Sequence, residues 1–154
     1  MEAPTSLKQW RENGWLVPHQ TSVRQIADLL KIADRDLALA SRTDDVDWCF
    51  GIAYNAALKL CTILLYASGY RAGRDLNHYR TLMSLALILG DDRKADTSYL
   101  DRCRMKRNEL EYERVGAATQ SEAKELLEFV AELKLGVTRW LGEHRPDLLG
   151  GTSR

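Results

Sequence analysis

One segment of the chain, from Trp48 to Ser68, is apolar around most of its circumference when it is drawn as a helix. Its apolar members recur at helical spacing, and many of them are small: Cys49, Ile52, Ala53, Ala56, Leu60, Ile63, Leu64 and Ala67. A helix that is hydrophobic on nearly all sides must be surrounded by other elements, and small residues allow those elements to approach closely. The segment therefore predicts the central helix of an all-helical core.

One edge of this predicted central helix is polar. The residues Asn55, Lys59, Thr62 and Tyr66 follow one another at intervals of four, three and four, so they share one side of the helix. Such an edge either lines a ligand cleft or forms a polar seam between helices, and the sequence leaves both interpretations open. If it lines a cleft, Asn55 and Lys59 are candidate substrate-binding residues.

Capping patterns and apolar stripes predict four further helices around this one. A long helix with one apolar face begins at Ser22, and a third helix covers roughly 76–89 after a loop at 69–73. A fourth helix begins near 96–97, and a last helix follows the capping pattern that starts at Thr119. With no competing strand pattern, these elements predict an all-α, up-and-down bundle of four to five helices.

The chain divides into three parts on this prediction. Residues 1–21 form an N-terminal extension whose short helix packs Trp10 and Trp15 onto the bundle. Residues 22–141 form the helical bundle, and residues 142–154, which contain a proline and a Gly-Gly pair, form a frayed tail. At 154 residues the chain fits one domain with a single core.

Composition limits the partners and the compartment that we expect. The 22 basic residues balance the 22 acidic residues, so any contact with nucleic acid must be local rather than driven by net charge. Three cysteines without a Cys-x-x-Cys spacing are typical of reduced thiols in a cytoplasmic protein. We expect no membrane span, because the apolar run around Cys61 is too short, and we expect no signal peptide at the amino terminus.

The segment RCRMKRNELEYE, residues 102–113, places four cations before three carboxylates on the fourth helix. Arg107 falls into one sector with the apolar residues Leu100, Cys103 and Leu110, since each helical residue turns about 100°. A charged group in an apolar stripe must reach out to water or meet a partner.

A second row on the same helix is formed by Arg104, Asn108 and Tyr112, each four residues from the next. Arg107 and Tyr112 are about 140° apart around a straight helix, so one straight helix cannot direct both at one small target. A kink, a helix end or a second subunit would be needed to bring them together.

The residues RNELEY, from Arg107 to Tyr112, resemble the Arg-Asn-x-x-x-His motif of HEPN domains. HEPN stands for higher eukaryotes and prokaryotes nucleotide-binding. These domains are helical bundles found in toxin–antitoxin and phage-defence systems. The central segment supports the resemblance, because AYNAALKLCTILLYASGYR is similar to the small-residue helix of the family that ends in a Gly-Tyr-Arg turn, here Gly69-Tyr70-Arg71. The resemblance covers roughly 22–141.

The resemblance implies a metal-independent ribonuclease without a cofactor, or its inactive descendant. Active members of the family form homodimers in which the motif helices of two chains build one composite cleft. On this basis Arg107 binds the scissile phosphate, Asn108 orients it, and Arg104 is a further substrate-binding candidate. Some members have an antitoxin partner, in certain systems a nucleotidyltransferase that modifies a tyrosine beyond the motif.

Tyr112 occupies the histidine position of the motif, which is the main departure from the family pattern. A tyrosine with a pKa of about 10 is a poor base near neutral pH, although its hydroxyl can donate a hydrogen bond. His78, at the start of the third helix, is the best internal candidate for a replacement acid or base.

Two functions remain open at this stage. The Arg-Asn pair favours a toxin-like protein that targets RNA, whereas the exchange of His for Tyr and the neutral charge favour a non-catalytic module that binds a partner.

Plainer interpretations exist for the charged residues. Arg102, Arg104 and Lys106 have Glu109, Glu111 and Glu113 within helical reach, which is typical of a solvated ion-pair face. Arg107 can pair with a buried acid, and Asn108 and Tyr112 can fix two helices through a hydrogen bond. The sequence shows neither a zinc-ligand spacing nor a Gly-rich phosphate loop.

Overall fold

The computed structural model describes residues 6–112 and 115–152, apart from the side chains of 111, 112, 151 and 152. It is mostly helical. The α-helices are α1 (Leu7–Glu12), α2 (Val23–Arg42), α3 (Val46–Ala67), α4 (Asn77–Leu89), α5 (Lys94–Tyr112) and α6 (Gln120–His144). Two short strands, β1 (Leu16–Pro18) and β2 (Tyr70–Ala72), and two 3-10 helices, Asp91–Arg93 and Pro146–Thr152, complete the described elements.

Helix α3 is the centre of the fold, as its composition predicts. Thirteen of its 22 residues are buried, and it packs against α2, α4, α5 and α6. Ala53, Ala56 and Ala57 are completely buried, so neighbouring helices lie close to the α3 backbone. The Asp45 side chain begins the helix by accepting a hydrogen bond from the Trp48 N–H at 3.0 Å.

The length of α3 differs from the expectation of an apolar run too short to cross a bilayer. Within the described part of the chain, α3 is the one helix long and apolar enough to span a membrane, with a mean hydropathy of 1.5. However, 67% of that apolar window is buried inside the fold. This burial is typical of the core helix of a soluble protein.

The boundaries of the outer helices follow their capping residues. The Ser22 side chain accepts from the Gln25 N–H, and Thr119 and Glu122 form a complete capping box at the start of α6. Helix α5 begins at Lys94, two residues before the predicted start, because a 3-10 turn feeds directly into it. Gly116 lies in the α5–α6 connection with a left-handed φ of 80°, which glycine adopts without strain.

The strands are a feature that the sequence pattern did not predict. β1 and β2 pair antiparallel, with Leu16 opposite Ala72 and Pro18 opposite Tyr70. β2 lies in the segment expected to be a loop, 69–73, and β1 lies in the N-terminal extension. Three-residue strands are too short to show an alternating pattern, so no periodic signal marks them. The pair attaches the N-terminal extension to the connection between α3 and α4.

The N-terminal extension also has a small core of its own. The described residues of this second cluster are Trp10, Leu16, Leu65 and Ala72, all nine-tenths or more buried. Leu65 belongs to α3, so the extension packs directly onto the central helix. The Trp10 and Trp15 rings meet edge to face, with centroids 5.6 Å apart.

The tail corrects our expectation of a frayed segment from 142 onwards, as far as residue 152. Helix α6 continues to His144, and the 3-10 helix that follows buries Leu148 to 5% exposure. The Arg145 guanidinium donates to the Ala67 carbonyl at 2.7 Å and pairs with Asp147 at 2.9 Å. The segment is held because one arginine caps the end of α3 and one leucine fills the core, which glycine and proline content does not reveal.

The central position of α3 predicts a steep cost for truncating its core side chains. Leu60→Ala, at a fully buried position, should lower the free energy of unfolding by about 2–5 kcal/mol. The matched control Leu135→Ala, at a 65% exposed position on α6, should change it by less than about 0.5 kcal/mol. Urea denaturation of both variants measures the difference, and equal losses would contradict the assignment of α3 as the core helix.

Candidate functional site

Arg107 lies at the edge of the core on the side of α5 that faces α3. Its predicted stripe partners Leu100 and Cys103 are buried, whereas Arg107 is only partly buried. The guanidinium carbon lies 5.8 Å from the centroid of the Tyr54 ring, within the range of a cation–π contact. Arg107 therefore lies against an aromatic ring at the edge of the core and is not enclosed by the core.

The ring that Arg107 contacts belongs to an unusual tyrosine, Tyr54. The residue is completely buried, and its hydroxyl has no hydrogen-bond partner within the described part of the chain. Burial raises the pKa of Tyr54, while the positive charges of Arg104 and Arg107 oppose that rise. The ring is therefore neutral near pH 7 and supports Arg107 without compensating its charge.

Three cations from two helices, α3 and α5, act electrostatically on His78 at the start of α4. Desolvation lowers the pKa of His78 from its ordinary value, and the charges of Arg107, Lys59 and Arg104 lower it further. We call Lys59, Arg104 and Arg107 the cationic cluster. Since cations make protonation of a nearby imidazole unfavourable, His78 is held in its neutral form at neutral pH.

Two members of the cationic cluster differ in how their charges are balanced. The Arg104 Nε donates to Asp101 at 2.8 Å, and its guanidinium lies 5.5 Å from the Tyr79 ring. No carboxylate of the described residues forms an ion pair with Lys59. The cluster thus retains positive charge on the surface of a chain whose formal net charge is zero.

A cavity of about 510 Å³ lies between α3 and α5 next to this cluster. Arg107 and Leu110 line it from α5, and Trp48, Ile52 and Asn55 line it from α3. Two predicted site residues, Asn55 and Arg107, therefore share one cavity. Asp45, Asp47, Gly51 and Val115 complete the lining.

Asn108 does not face this cavity. It is exposed and lines a separate shallow depression with Arg102, Met105, Lys106 and Glu109. Consecutive helical residues point about 100° apart, so Arg107 and Asn108 of one chain are directed to different targets. Tyr112 is the last residue of α5, and its side chain lies outside the described part of the structure.

Two cations on the charged face of α5 form ion pairs with carboxylates that helical spacing did not suggest, while the side chains of Glu111 and Glu113 lie outside the described residues. Arg104 pairs with Asp101, one turn earlier, and Lys106 pairs with Glu122 of α6 at 3.3 Å. Lys106 also donates to the Ala117 carbonyl at 3.0 Å. A long lysine side chain reaches the neighbouring connection, and spacing along one helix cannot reveal such a contact.

The structure adds Trp48 and Tyr54 to the site residues identified from the sequence. Trp48 is the first residue of the apolar segment, which indicates a buried position, but it is 68% exposed. Its spacing to Ile52, Asn55 and Lys59, in steps of four, three and four, places it on the polar edge and could have identified it. Tyr54 carries no comparable signal, because its role depends on a contact with another helix.

Metal and thiol chemistry find little support in the described residues. These contain no group of three His, Cys, Asp or Glu side chains placed to hold a metal ion. Burial raises the pKa of Cys61 to about 12 and that of Cys103 to about 11. Both thiols are therefore protonated and poorly reactive at neutral pH.

Comparisons of the chain with models of protein families, with curated proteins and with solved structures find no match. The likeness of the α5 motif to HEPN domains thus stays a prediction from the sequence.

The grouping around His78 predicts a specific change in its titration. Arg107→Ala removes a positive charge that disfavours the imidazolium ion, so the pKa of His78 should rise. Arg102→Ala removes an equal charge from an exposed position beside the Tyr99 ring and should leave that pKa unchanged. Titration of the His78 ring by NMR measures both variants, and equal shifts would show that Arg107 does not act on His78.

Proposed function

We propose that the chain is an HEPN-like protein that targets RNA as a homodimer in a toxin–antitoxin or defence system. The observation that carries the proposal is the cationic cluster: Arg107 lines the α3–α5 cavity beside the Tyr54 ring, and Lys59, Arg104 and Arg107 all act electrostatically on His78. A local concentration of cations in a chain of zero net charge suits a polyanion that is contacted at one place rather than along the whole surface.

Arg107 is the phosphate-binding residue in this proposal. A guanidinium presents a planar set of donors that matches two phosphate oxygens, and it remains charged at every physiological pH. Its cation–π contact with the Tyr54 ring favours one position of the guanidinium before substrate arrives. A fixed positive charge stabilises the charge that develops on phosphate during cleavage more effectively than a mobile one.

His78 supplies the acid–base chemistry that Tyr112 is poorly suited to provide. A neutral imidazole can accept the proton of a ribose 2′-hydroxyl as its oxygen attacks the adjacent phosphorus, while the bond from phosphorus to the 5′-oxygen breaks and the departing oxygen takes a proton from the imidazolium or from water. The lowered pKa of His78 keeps it in the accepting form at neutral pH. Tyr112 then contributes a hydrogen bond to the substrate.

A homodimer accounts for the divergence of Arg107 and Asn108 into separate cavities. Two copies of α5 facing each other around a two-fold axis would bring the Asn108 faces of both chains together, with the two Arg107 cavities on the flanks of one composite cleft. Asn55 and Lys59 then contact the RNA from α3. The proposal requires neither a metal nor a cofactor, and it places the protein in the cytoplasm, where its three free thiols stay reduced.

A second candidate function is a non-catalytic HEPN module that binds a partner protein, such as an antitoxin or a nucleotidyltransferase. The exposed apolar pair Trp48 and Val115, 68% and 93% accessible on the rim of one cavity, favours it. Exposed aromatic and aliphatic side chains grouped around a pocket are common at protein interfaces. In this case the cationic cluster would contact an acidic partner instead of RNA.

The proposed dimer predicts a molar mass of about twice 17.5 kDa by light scattering at micromolar concentration. Met105→Asp, on the exposed face of α5 beside Asn108, should dissociate the dimer because an unpaired charge is costly in an interface. Leu135→Asp, at an exposed position on α6, is the matched control and should leave the dimer intact. A monomeric wild type, or a dimer sensitive only to Leu135→Asp, would contradict the composite cleft.

The proposed chemistry predicts a pattern across variants in an RNA-cleavage and growth-inhibition assay. Arg107→Ala should lower cleavage by about a hundredfold or more, since a charge-stabilising donor is lost. Arg139→Ala removes an exposed arginine from α6 that lines neither cavity, and it should retain most of the activity. Tyr112→His should raise cleavage by supplying a base that titrates near neutral pH.

Each variant in that assay is first checked for folding by circular dichroism and for dimerisation by light scattering. Activity that survives Arg107→Ala in a folded dimer would remove the proposed site. Absence of cleavage in wild type and in Tyr112→His would exclude the ribonuclease and favour the partner-binding module.

A further inference from the structure

A single face of α3 carries four residues of very different chemistry in one row. Trp48, Ile52, Asn55 and Lys59 are separated by four, three and four positions, so they lie along one side of the helix over about 16 Å. Arg107 of α5 lies across the cavity from the first three and acts electrostatically on the same His78 as Lys59. We call this row, together with Arg107, the α3–α5 groove.

Trp48 offers an open aromatic face at one end of the α3–α5 groove. It is 68% exposed although α3 is otherwise the most buried helix, and it lines the cavity together with the apolar side chains of Ile52 and Leu110. Gly51 has no neighbouring atom within 4 Å of the place where a side chain would begin, so nothing crowds the cavity there. A flat apolar ring beside an open cavity of about 510 Å³ is suited to stacking with another flat ring.

Asn55 provides a polar group between the two ends of the groove. Its amide is half-buried on the cavity wall, and no side-chain hydrogen bond engages it within the described part of the structure. An asparagine amide carries both donors and an acceptor, so it can pair with the edge of a nucleobase.

Acidic and basic residues lie toward opposite ends of the groove. Asp45 and Asp47 lie at the Trp48 end, and the Asp47 carboxylate is fixed by the Gly116 N–H at 2.7 Å. Arg107 and Lys59 lie toward the other end. A phosphate is repelled from the acidic end and attracted to the basic end, so a bound nucleotide has one favoured orientation, with its base toward Trp48.

We infer that the α3–α5 groove binds one unpaired nucleobase of single-stranded RNA, stacked on Trp48 and contacted by Asn55, with the adjoining phosphate on Arg107 and Lys59. This inference rests on the proposed RNA function and specifies its substrate class. A base inside a duplex is stacked between its neighbours and cannot enter the cavity, so the groove selects single-stranded over double-stranded RNA.

The test separates base binding from phosphate binding. Fluorescence anisotropy measures the affinity of the full-length protein for a labelled single-stranded RNA oligomer and for an abasic ribose-phosphate oligomer of equal length. Wild type should bind the RNA oligomer at least about fivefold more tightly than the abasic one, because one base–aromatic stack contributes that much. Trp48→Ala should abolish this preference while leaving the affinity for the abasic oligomer unchanged.

Two controls make the outcome specific. Leu135→Ala, which removes an exposed apolar side chain from α6, should behave as wild type with both oligomers. Arg107→Ala should weaken the binding of both oligomers and reduce the salt dependence of binding, because a phosphate contact is lost.

The possible results are distinguishable. If Arg107→Ala weakens both oligomers but Trp48→Ala keeps the preference for bases, the nucleobase site is excluded and the proposed RNA function stands. If wild type binds neither oligomer, both the site and the function are excluded. If Trp48→Ala dissociates the dimer in light scattering, Trp48 belongs to an interface between chains and the nucleobase site is overturned.

Discussion

The enclosure of α3 is the constraint on which the rest of the structure depends. A helix whose circumference is nearly all apolar is unfavourable in water unless neighbours cover it, and here α2, α4, α5 and α6 all pack against it. The small side chains Ala53, Ala56 and Ala57 bring those neighbours close. The edge that carries Trp48, Asn55 and Lys59 is less completely covered than the rest. The α3–α5 groove is thus the part of the α3 surface that the packing of the other helices leaves uncovered.

The helices could be predicted from the sequence because each has a local cause. Apolar spacing and capping residues such as Ser22 and Thr119 act within one or two turns, and the structure places the helix starts where these residues are. The paired strands and the folded tail could not be predicted, because their causes lie far apart in the chain. The Arg145 contact with the Ala67 carbonyl, for example, joins residues 78 positions apart.

The candidate site shows the same division between local and distant causes. Helical spacing on α5 correctly placed Arg107 beside the buried residues Leu100 and Cys103, but it could not indicate Tyr54 as the surface on which Arg107 rests. The electrostatic effect of Lys59 and Arg104 on His78 depends on three helices, α3, α4 and α5, in their final positions. The cluster is also electrostatically unfavourable for folding, and natural proteins keep such local conflicts mainly where function requires them.

Both the N-terminal extension and the C-terminal segment are fastened at the same end of α3. The strand pair joins the extension to the α3–α4 connection, and Arg145 holds the tail to the last carbonyl of the helix. Pro18, His19, Arg145 and Asp147 accordingly line one surface cavity there. Trp48 lies 19 residues earlier on α3, about 28 Å away along the helix axis. The two terminal segments therefore brace one end of α3, and the groove begins at the other end of the same helix.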